Sequence, residues 1–304
     1  MKIILFGSGT FAVPALERLS SHVSLVVTQP DRPSGRHLRL QASPVKLAAT
    51  RLGIAVESPE RSRTPEFVER LKAEEADFLL VASYGQILSE AVLNSAHQGG
   101  INLHGSILPR YRGAAPIQRS IECGDTESGV TLMQMDRGMD TGDIIEIVRT
   151  PIGPDETYGE LQDRLALIGA ELAEEWASRI ARGDYPRVPQ DPTRAGLAPK
   201  IDRAETELDL NRGASAEYNR FRAFTPSPAS FLSTRFGRLK LRQLRQSDFA
   251  GTPGTIVALN PDVVVACAEG GLRLIEVQPE GKRQMEGRAW ANGVRLRIGD
   301  NLLA

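Results

Sequence analysis

The chain has 304 residues, of which 41% are hydrophobic and 25% are charged. This length and composition are typical of a globular protein with two domains, and they exclude a disordered chain. Its 37 basic and 38 acidic residues give a formal net charge of -1, so a basic surface over the whole protein is excluded and basic patches have to be sought locally.

The amino-terminal segment and the cysteines indicate a cytoplasmic protein. No apolar run approaches the roughly 18 residues of a membrane span, and Met1 to Gly7 is typical of a strand rather than a signal peptide. The two cysteines, Cys123 and Cys267, lack the spacing of metal ligands. We therefore expect two ordinary thiols, without a disulfide or a zinc site.

Short apolar runs alternate with helix-like segments over roughly the first 150 residues, a pattern that predicts an α/β fold with a parallel sheet. The runs are Ile3 to Phe6, Val23 to Val27, Phe78 to Ala82 and Val130 to Met135. We expect one helix to begin after the capping residue Thr64 and another to run from about Glu156 to Arg182.

The first apolar run ends in a glycine-rich turn, Gly7-Ser8-Gly9-Thr10-Phe11-Ala12, which matches the pattern of dinucleotide-binding turns. Dinucleotide-binding proteins usually also have an acidic residue at the end of the second strand, where this chain has Val27-Thr28-Gln29. The turn therefore favours a tight connection between strand and helix, with dinucleotide binding as the alternative.

A long basic loop, Thr28 to Leu40, follows the second apolar run. Connections between strands and helices usually take about 2 to 6 residues, so a loop of this length indicates a function. Arg32, Arg36 and Arg39 make the loop basic, which suits binding to phosphates or to unstacked bases. A solvated loop and a site for a small anion are the alternatives.

The segment 101–143 carries the strongest chemical signal. Asn102 and His104 alternate with apolar neighbours, so as the end of a strand they share one face. Glycines and prolines follow directly, as they do where an α/β sheet opens a crevice, and a later turn can return Asp140 to it. Asn, His and Asp together can catalyse acyl transfer. Taken singly, each could instead satisfy backbone groups or begin a turn.

The last third of the chain has a different pattern. Prolines concentrate before residue 204, which predicts a linker at 190–204 between a domain of residues 1–189 and a domain of residues 205–304. Five short strand-like runs predict a small OB-like β-barrel in the second domain. They are Phe231 to Thr234, Leu239 to Leu244, Thr255 to Ala258, Val263 to Ala266 and Leu272 to Val277.

The second domain has 14 basic and 11 acidic residues. Within it, Arg238, Lys240 and Arg242 recur at every second position, so they lie on one side of a strand, which we call the basic face. The basic face predicts contacts with phosphate groups, with charge protection of an edge strand as the alternative.

These motifs resemble the methionyl-tRNA formyltransferase family. The resemblance rests on Asn-x-His-Gly-Ser-x-Leu-Pro-Arg-Tyr-Arg-Gly-Ala-Ala-Pro-Ile-Gln from Asn102, Met-Asp-x-Gly-x-Asp-Thr-Gly-Asp from Met135, Thr-Gln-Pro-Asp-Arg-Pro-x-Gly-Arg from Thr28, Ser43-Pro44-Val45-Lys46 and Arg222-Ala223-Phe224. It extends over essentially the whole chain. The turn at Gly7 departs from it, because many members have Gly-Thr-Pro-acid-Phe-Ala there.

The resemblance implies a Rossmann-like formyltransferase domain followed by an OB-like tRNA-binding domain. It implies that a formyl group moves from 10-formyltetrahydrofolate to the α-amine of methionine on initiator tRNA, with tetrahydrofolate as the other product, in support of translation initiation. Asn102 and His104 would stabilise the oxyanion of this reaction. Asp140 would hold His104 in its donating form and could accept the amine proton.

The resemblance also implies the binding residues. Folate would lie against Tyr84, Gly85, Ile87, Leu88, Ser106, Ile107, Leu108 and Pro109. The tRNA would contact the three arginines of the basic loop, Arg32, Arg36 and Arg39, together with the basic face. We expect no metal, no membrane association and a monomer.

Three alternatives remain open. A formyltransferase for a small amine, such as a nucleotide sugar or glycinamide ribonucleotide, would need the same three catalytic residues but not the 13-residue basic loop. A dinucleotide-dependent reductase would be identified by bound NAD(P). A non-catalytic tRNA-binding protein would be identified by the absence of turnover with 10-formyltetrahydrofolate.

Overall fold

A computed structural model of the chain describes residues 1–34 and 39–303, which form two compact units. The first unit contains Met1–Pro116, Glu127–Pro151 and Gln162–Pro199, and the second contains Ile117–Thr126, Ile152–Leu161 and Lys200–Ala304. Residues 190–199 of the predicted linker therefore lie in the first unit. The division of the chain at residues 189 and 204 stays a prediction about independently folding domains.

A mainly parallel sheet forms the centre of the first unit. The strands of this unit belong to this sheet or to a small separate one. They are β1 (Ile3–Gly7), β2 (Val23–Val27), β3 (Arg32–Ser34), β4 (Arg39–Gln41), β5 (Ala55–Glu57), β6 (Phe78–Ala82), β7 (Gly100–His104), β8 (Glu127–Gln134) and β9 (Ile144–Pro151). Seven of them pair in the order β5-β2-β1-β6-β7-β8-β9, and β3 pairs with β4.

The predicted α/β fold is confirmed, with one difference at the edge of the sheet. The strands β5, β2, β1, β6 and β7 are parallel, whereas β8 is antiparallel to β7 and β9 is antiparallel to β8. The antiparallel pairing of β8 with β9 follows from their short connection, residues 135–143, because parallel pairing needs a crossover of about a dozen residues or more.

Continuous apolar sequence places the central strands inside the unit. Every residue of β1 and β6 is buried, as expected for parallel strands covered on both faces. The strand order reverses direction between β1 and β6. Crevices at the carboxyl ends of strands near such a switch point are where α/β proteins bind ligands.

Two of the helices before residue 200 correspond to helices predicted from the sequence. The helices of this region are α1 (Val13–Arg18), α2 (Pro44–Leu52), α3 (Pro65–Lys72), α4 (Glu90–Leu93), α5 (Pro116–Glu122) and α6 (Tyr158–Ala181). Helix α3 begins as predicted, because the Thr64 hydroxyl accepts a hydrogen bond from the Phe67 N–H at 3.3 Å. Helix α6 confirms the long helix predicted from about Glu156 to Arg182.

After residue 200, the second unit contains an antiparallel sheet with one helix before it and one helix after it in the chain. Its elements are α7 (Ala214–Phe224), β10 (Phe231–Thr234), β11 (Gly237–Ser247), β12 (Ile256–Ala258), β13 (Val263–Ala266), β14 (Gly271–Pro279), β15 (Met285–Glu286) and α8 (Gly287–Gly293). The five predicted strands are confirmed, and β15 adds a short sixth. The strands pair in the order β10-β11-β14-β13-β12 with β15 on β14, so the predicted OB-like barrel takes the form of a curled half-barrel.

Hydrogen bonds between side chains connect the segments Ile117–Thr126 and Ile152–Leu161 to the rest of the second unit. The Arg119 guanidinium of α5 donates to Glu122 at 2.7 Å and to Glu205 at 2.8 Å. The Tyr218 hydroxyl of α7 donates to the Asp155 carboxylate at 2.6 Å. Burial, together with the Asp155 carboxylate, raises the pKa of Tyr218 to about 12, so the phenol stays a donor.

Candidate active site

Asn102 and His104 lie on one face of β7, as the alternation in the sequence predicts. On the antiparallel neighbour β8, Met133 lies opposite Asn102 and Thr131 lies opposite His104. Asn102 is 8% exposed and His104 is 5% exposed. Polar groups buried to this extent need hydrogen-bond partners inside the protein.

The turn of residues 135–143, between β8 and β9, carries Asp140 to the same place. The Asp136 carboxylate organises this turn, because it accepts hydrogen bonds from the Gly138 N–H at 2.9 Å and from the Thr141 hydroxyl at 2.7 Å. Asp140 has a φ of +54°, in the left-handed region that costs a non-glycine residue about 1–2 kcal/mol. Such a conformation persists only when its surroundings hold it.

The Asp140 carboxylate contacts three other segments of the site. Its Oδ2 accepts a hydrogen bond from the Gly113 N–H at 2.8 Å and lies 3.6 Å from His104 Nδ1. Its Oδ1 lies 3.4 Å from the Asn102 Nδ2 donor. On the other side of the imidazole, His104 Nε2 lies 2.9 Å from the Tyr111 carbonyl oxygen. The three predicted catalytic residues are thus neighbours.

Both ring nitrogens of His104 face hydrogen-bond acceptors. A carbonyl oxygen only accepts hydrogen bonds, so the nitrogen facing Tyr111 is a donor in this contact. The acceptor nearest to the other ring nitrogen is the Asp140 carboxylate. An imidazole donor beside the Asn102 amide is an arrangement that stabilises a negatively charged oxygen.

The loop after β7 is held by bonds within itself and to β8. The Ser106 hydroxyl donates to the Arg110 carbonyl at 2.9 Å. The Thr131 hydroxyl donates to the Ser106 carbonyl at 2.6 Å and accepts from the Leu108 N–H at 3.2 Å. These hydrogen bonds fix the loop that presents Tyr111 to His104. The Ser106 hydroxyl is engaged as a donor within this loop.

A cavity of about 340 Å³ opens beside Asp140. It is lined by Gln86, Ile87, Leu88, Met133, Met135, Asp136, Arg137, Gly138, Met139 and Asp140. Its wall combines apolar side chains with two carboxylates, and its volume lies at the lower end of the range of about 300–1,000 Å³ for small-molecule sites. Ile87 is 92% exposed, so it presents apolar surface at this cavity to solvent.

Part of the predicted folate set lies at this cavity. Ile87 and Leu88 line it, whereas its lining does not include Tyr84, Gly85, Ser106, Ile107, Leu108 or Pro109. Tyr84 packs edge-on against Phe6, with ring centroids 5.1 Å apart, and burial raises the pKa of its phenol. Tyr84 therefore belongs to the core of the unit.

Sequence reasoning missed most of the cavity wall. Met133, Met135 and Met139 are apolar residues in and after β8, and their pattern resembles that of an ordinary core strand. The sequence signal that could have indicated this wall is the motif around Asp140. The motif predicted a carboxylate at the site, and its residues also form one side of the cavity.

The basic loop is described in part. Arg32 begins β3 and donates to the Gln29 side-chain oxygen at 3.4 Å, and Arg39 begins the antiparallel partner β4. Arg36 lies outside the described residues. The tRNA contacts of these three arginines stay predictions.

The basic face occupies one side of β11. Arg238 and Lys240 are exposed and Arg242 is half-buried, while the two leucines between them are in the core. The predicted alternation is therefore confirmed. The Arg238 guanidinium carbon lies 4.1 Å from the centre of the Phe231 ring, which holds this cation against the sheet.

Among the residues that the structure describes, no three His, Cys, Asp or Glu side chains are grouped to hold a metal ion. Within residues 1–34 and 39–303, no helix combines the length and apolar character needed to cross a membrane.

Two family models match the chain. Residues 1–175 match the model described as formyl transferase, and residues 200–295 match the formyl transferase carboxyl-terminal domain. The chain is 44% identical to the methionyl-tRNA formyltransferase of Symbiobacterium thermophilum, over 98% of this chain and 94% of the relative. It is 41% identical to the methionyl-tRNA formyltransferase of Myxococcus xanthus, over 98% and 96%.

Solved structures share the fold at lower identity. An N-formyltransferase from Helicobacter canadensis, in complex with folinic acid and dTDP-3-aminofucose, has a TM-score of 0.68 and 20% identity, covering 90% of this chain and 98% of that one. HypX from Aquifex aeolicus, in complex with tetrahydrofolic acid, has a TM-score of 0.66 and 14% identity, covering 99% and 48%.

Proposed function

Because the chain belongs to the methionyl-tRNA formyltransferase family and therefore transfers a formyl group to methionyl-tRNA, we propose that Asn102, His104 and Asp140 carry the transfer and that 10-formyltetrahydrofolate is the donor. The acceptor is the α-amine of methionine on initiator tRNA, which gives the protein its role in translation initiation. The observation that carries this proposal is the contact of the three side chains beside the 340 Å³ cavity.

The chemistry of the cavity wall supports a folate as donor. Leu88 and the methionines offer apolar surface for the flat pterin ring, and the carboxylate of Asp136 offers an acceptor for its N–H groups. Folinic acid and tetrahydrofolic acid are the folates bound by the two solved relatives of this fold. We place the pterin against Ile87 and Leu88, with the formyl group toward Asp140.

The reaction forms and breaks one bond at the formyl carbon. The amine nitrogen bonds to this carbon, and the carbonyl oxygen becomes an oxyanion that Asn102 and His104 stabilise by donating hydrogen bonds. Both residues have a long contact to Asp140, at 3.4 and 3.6 Å, which can be exchanged for the oxyanion. Asp140 accepts the amine proton, directly or through water. Collapse of the adduct then breaks the bond to the folate nitrogen, which takes up the proton that Asp140 accepted and leaves as a neutral secondary amine.

Two basic regions support binding of the tRNA. We assign the basic loop, with Arg32, Arg36 and Arg39, to the acceptor end, because the reacting amine must be positioned there. We assign the basic face to phosphate groups, since Arg238 and Lys240 project cations from a regular strand.

We also propose that the protein acts as a monomer in the cytoplasm. Cys123 and Cys267 are both free thiols, as expected in a reducing compartment. Light scattering should give a mass near 33.1 kDa at assay concentration. A mass of twice that value or more would contradict the monomer.

The donor can be tested with purified components. The protein is incubated with methionyl initiator tRNA and either 10-formyltetrahydrofolate or 5-formyltetrahydrofolate. We expect one formylmethionyl-tRNA for each tetrahydrofolate released from the 10-formyl compound, and no transfer from the 5-formyl compound. Transfer from the 5-formyl compound alone, or the absence of transfer from both, would contradict the proposal.

A further inference from the structure

One side chain outside the predicted catalytic set, Gln190, connects the two loops of the site. Its Nε2 donates to the carbonyl oxygens of Asp140 at 2.9 Å and Gly142 at 2.8 Å. Its Oε1 accepts from Nε and Nη2 of Arg112 at 3.1 and 2.8 Å. The amide therefore uses its donor end for the turn of Asp140 and its acceptor end for the loop after β7.

These bonds close a ring around the acceptors of His104. The Gly113 N–H donates to the Asp140 carboxylate, and Gly113 directly follows Arg112 in the chain. Gln190 joins the Arg112 side chain back to the backbone of Asp140. Tyr111, whose carbonyl faces His104 Nε2, precedes Arg112. The acceptors on both imidazole nitrogens are thus held in one hydrogen-bonded circuit.

The chemistry of an amide suits this position. Asp140 has a φ of +54°, and Gln190 holds its carbonyl and the carbonyl of Gly142 in fixed directions. A glutamate would keep the acceptor for Arg112, but it would turn a negatively charged oxygen toward two carbonyl oxygens. An alanine would remove both connections.

We propose that Gln190 is a positioning residue for formyl transfer. It holds Asp140 and the Tyr111 carbonyl in the arrangement that orients His104, without contacting either substrate. This inference rests on the proposed function of the three catalytic residues.

The test compares Gln190→Ala and Gln190→Glu with wild type in kcat, in KM for each substrate and in thermal stability. We expect kcat to fall by about tenfold or more in both variants, because small misplacements of reacting groups are costly. The KM values should change by less than about twofold, since Gln190 touches neither substrate. Tyr185→Phe is a matched control, because it removes a 2.7 Å hydrogen bond from the same segment to Gln134 and should leave kcat unchanged.

A second measurement uses no substrate. The ring nitrogen NMR signals of His104, assigned with His104→Ala, report its hydrogen bonds and should shift in both Gln190 variants but not in Tyr185→Phe. Unchanged kcat would overturn the inference, and so would a fall in kcat and stability with wild-type His104 signals, because that combination indicates a purely structural role. If the wild-type protein formylates no tRNA, the proposed function fails while the NMR comparison still decides the inference.

Discussion

Replacing Asp140 with asparagine removes the negative charge beside His104 and retains the shape of the side chain. Two unit charges separated by the observed 3.6 Å interact by about 5 kcal/mol at an effective dielectric constant of about 20. The Asp140 side chain is 17% exposed, so water screens part of this energy. If about half remains, roughly 2.5 kcal/mol of transition-state stabilisation is lost, and the chemical step slows roughly fifty- to hundredfold.

The assay is single-turnover formylation of methionyl initiator tRNA at saturating folate and enzyme. Asp143→Asn is the matched control, because it makes the same change three residues away, where the carboxylate pairs with Arg187 at 3.3 Å. We expect its rate to stay within about twofold of wild type, as for loss of a surface ion pair. Wild-type rates in a folded Asp140→Asn variant would refute the role of this charge.

Four further outcomes follow from the site and the two units. His104→Ala should lower kcat by roughly 10²–10³, because one oxyanion donor contributes about 2.7–4 kcal/mol, while the folate Kd measured by fluorescence stays nearly constant. A near-normal kcat would remove His104 from the mechanism. Ile87→Asp should weaken folate binding by roughly tenfold or more because it replaces apolar surface with a charge, and an unchanged Kd would place the folate elsewhere. A triple alanine variant of the basic face should reduce the salt slope of tRNA binding by about one unit for each phosphate that is no longer neutralised, at constant saturating rate. The parent slope would instead assign these cations to edge protection. Cys123 should react with a thiol reagent in the native protein, whereas Cys267, whose pKa burial raises to about 12, should react only after unfolding. Two reactive thiols in the native state would contradict the burial of Cys267.

Local patterns in the sequence predicted the strands and part of the site. The alternation around Asn102 and His104 determines which face of β7 they occupy, because side chains on a strand point to opposite faces in turn. The capping signal at Thr64 predicted the start of α3 for a similarly local reason. Features of this kind depend on neighbours within a few residues and can be inferred without the fold.

Features that depend on distant contacts could not be predicted in this way. Gln190 lies in a proline-rich stretch that predicts a linker, and its partner Asp140 is 50 residues away in the sequence. The antiparallel direction of β8 relative to β7 depends on the path of the chain through residues 105–126, which apolar periodicity does not specify. Tyr84 has a polar group and closely precedes the cavity residues Ile87 and Leu88 in the sequence, yet its ring lies in the core.

The glycine-rich turn at Gly7 shows how packing can produce a functional pattern. A Cβ atom at Gly7 would lie 2.8 Å from the Ala12 Cβ and 3.0 Å from the Ala82 carbonyl oxygen. Glycine is therefore required for the close approach of the turn to β6. This requirement explains the glycine without a bound dinucleotide.

The acceptor can be identified by comparing two amines under the same conditions. Initial rates of transfer from 10-formyltetrahydrofolate are compared for methionyl initiator tRNA and for a nucleotide-linked amino sugar at equal concentration. We predict formylmethionyl-tRNA with an equal amount of tetrahydrofolate, at a rate that falls with added salt as phosphate contacts weaken. Faster formylation of the amino sugar than of the tRNA would instead identify a small amine as the acceptor.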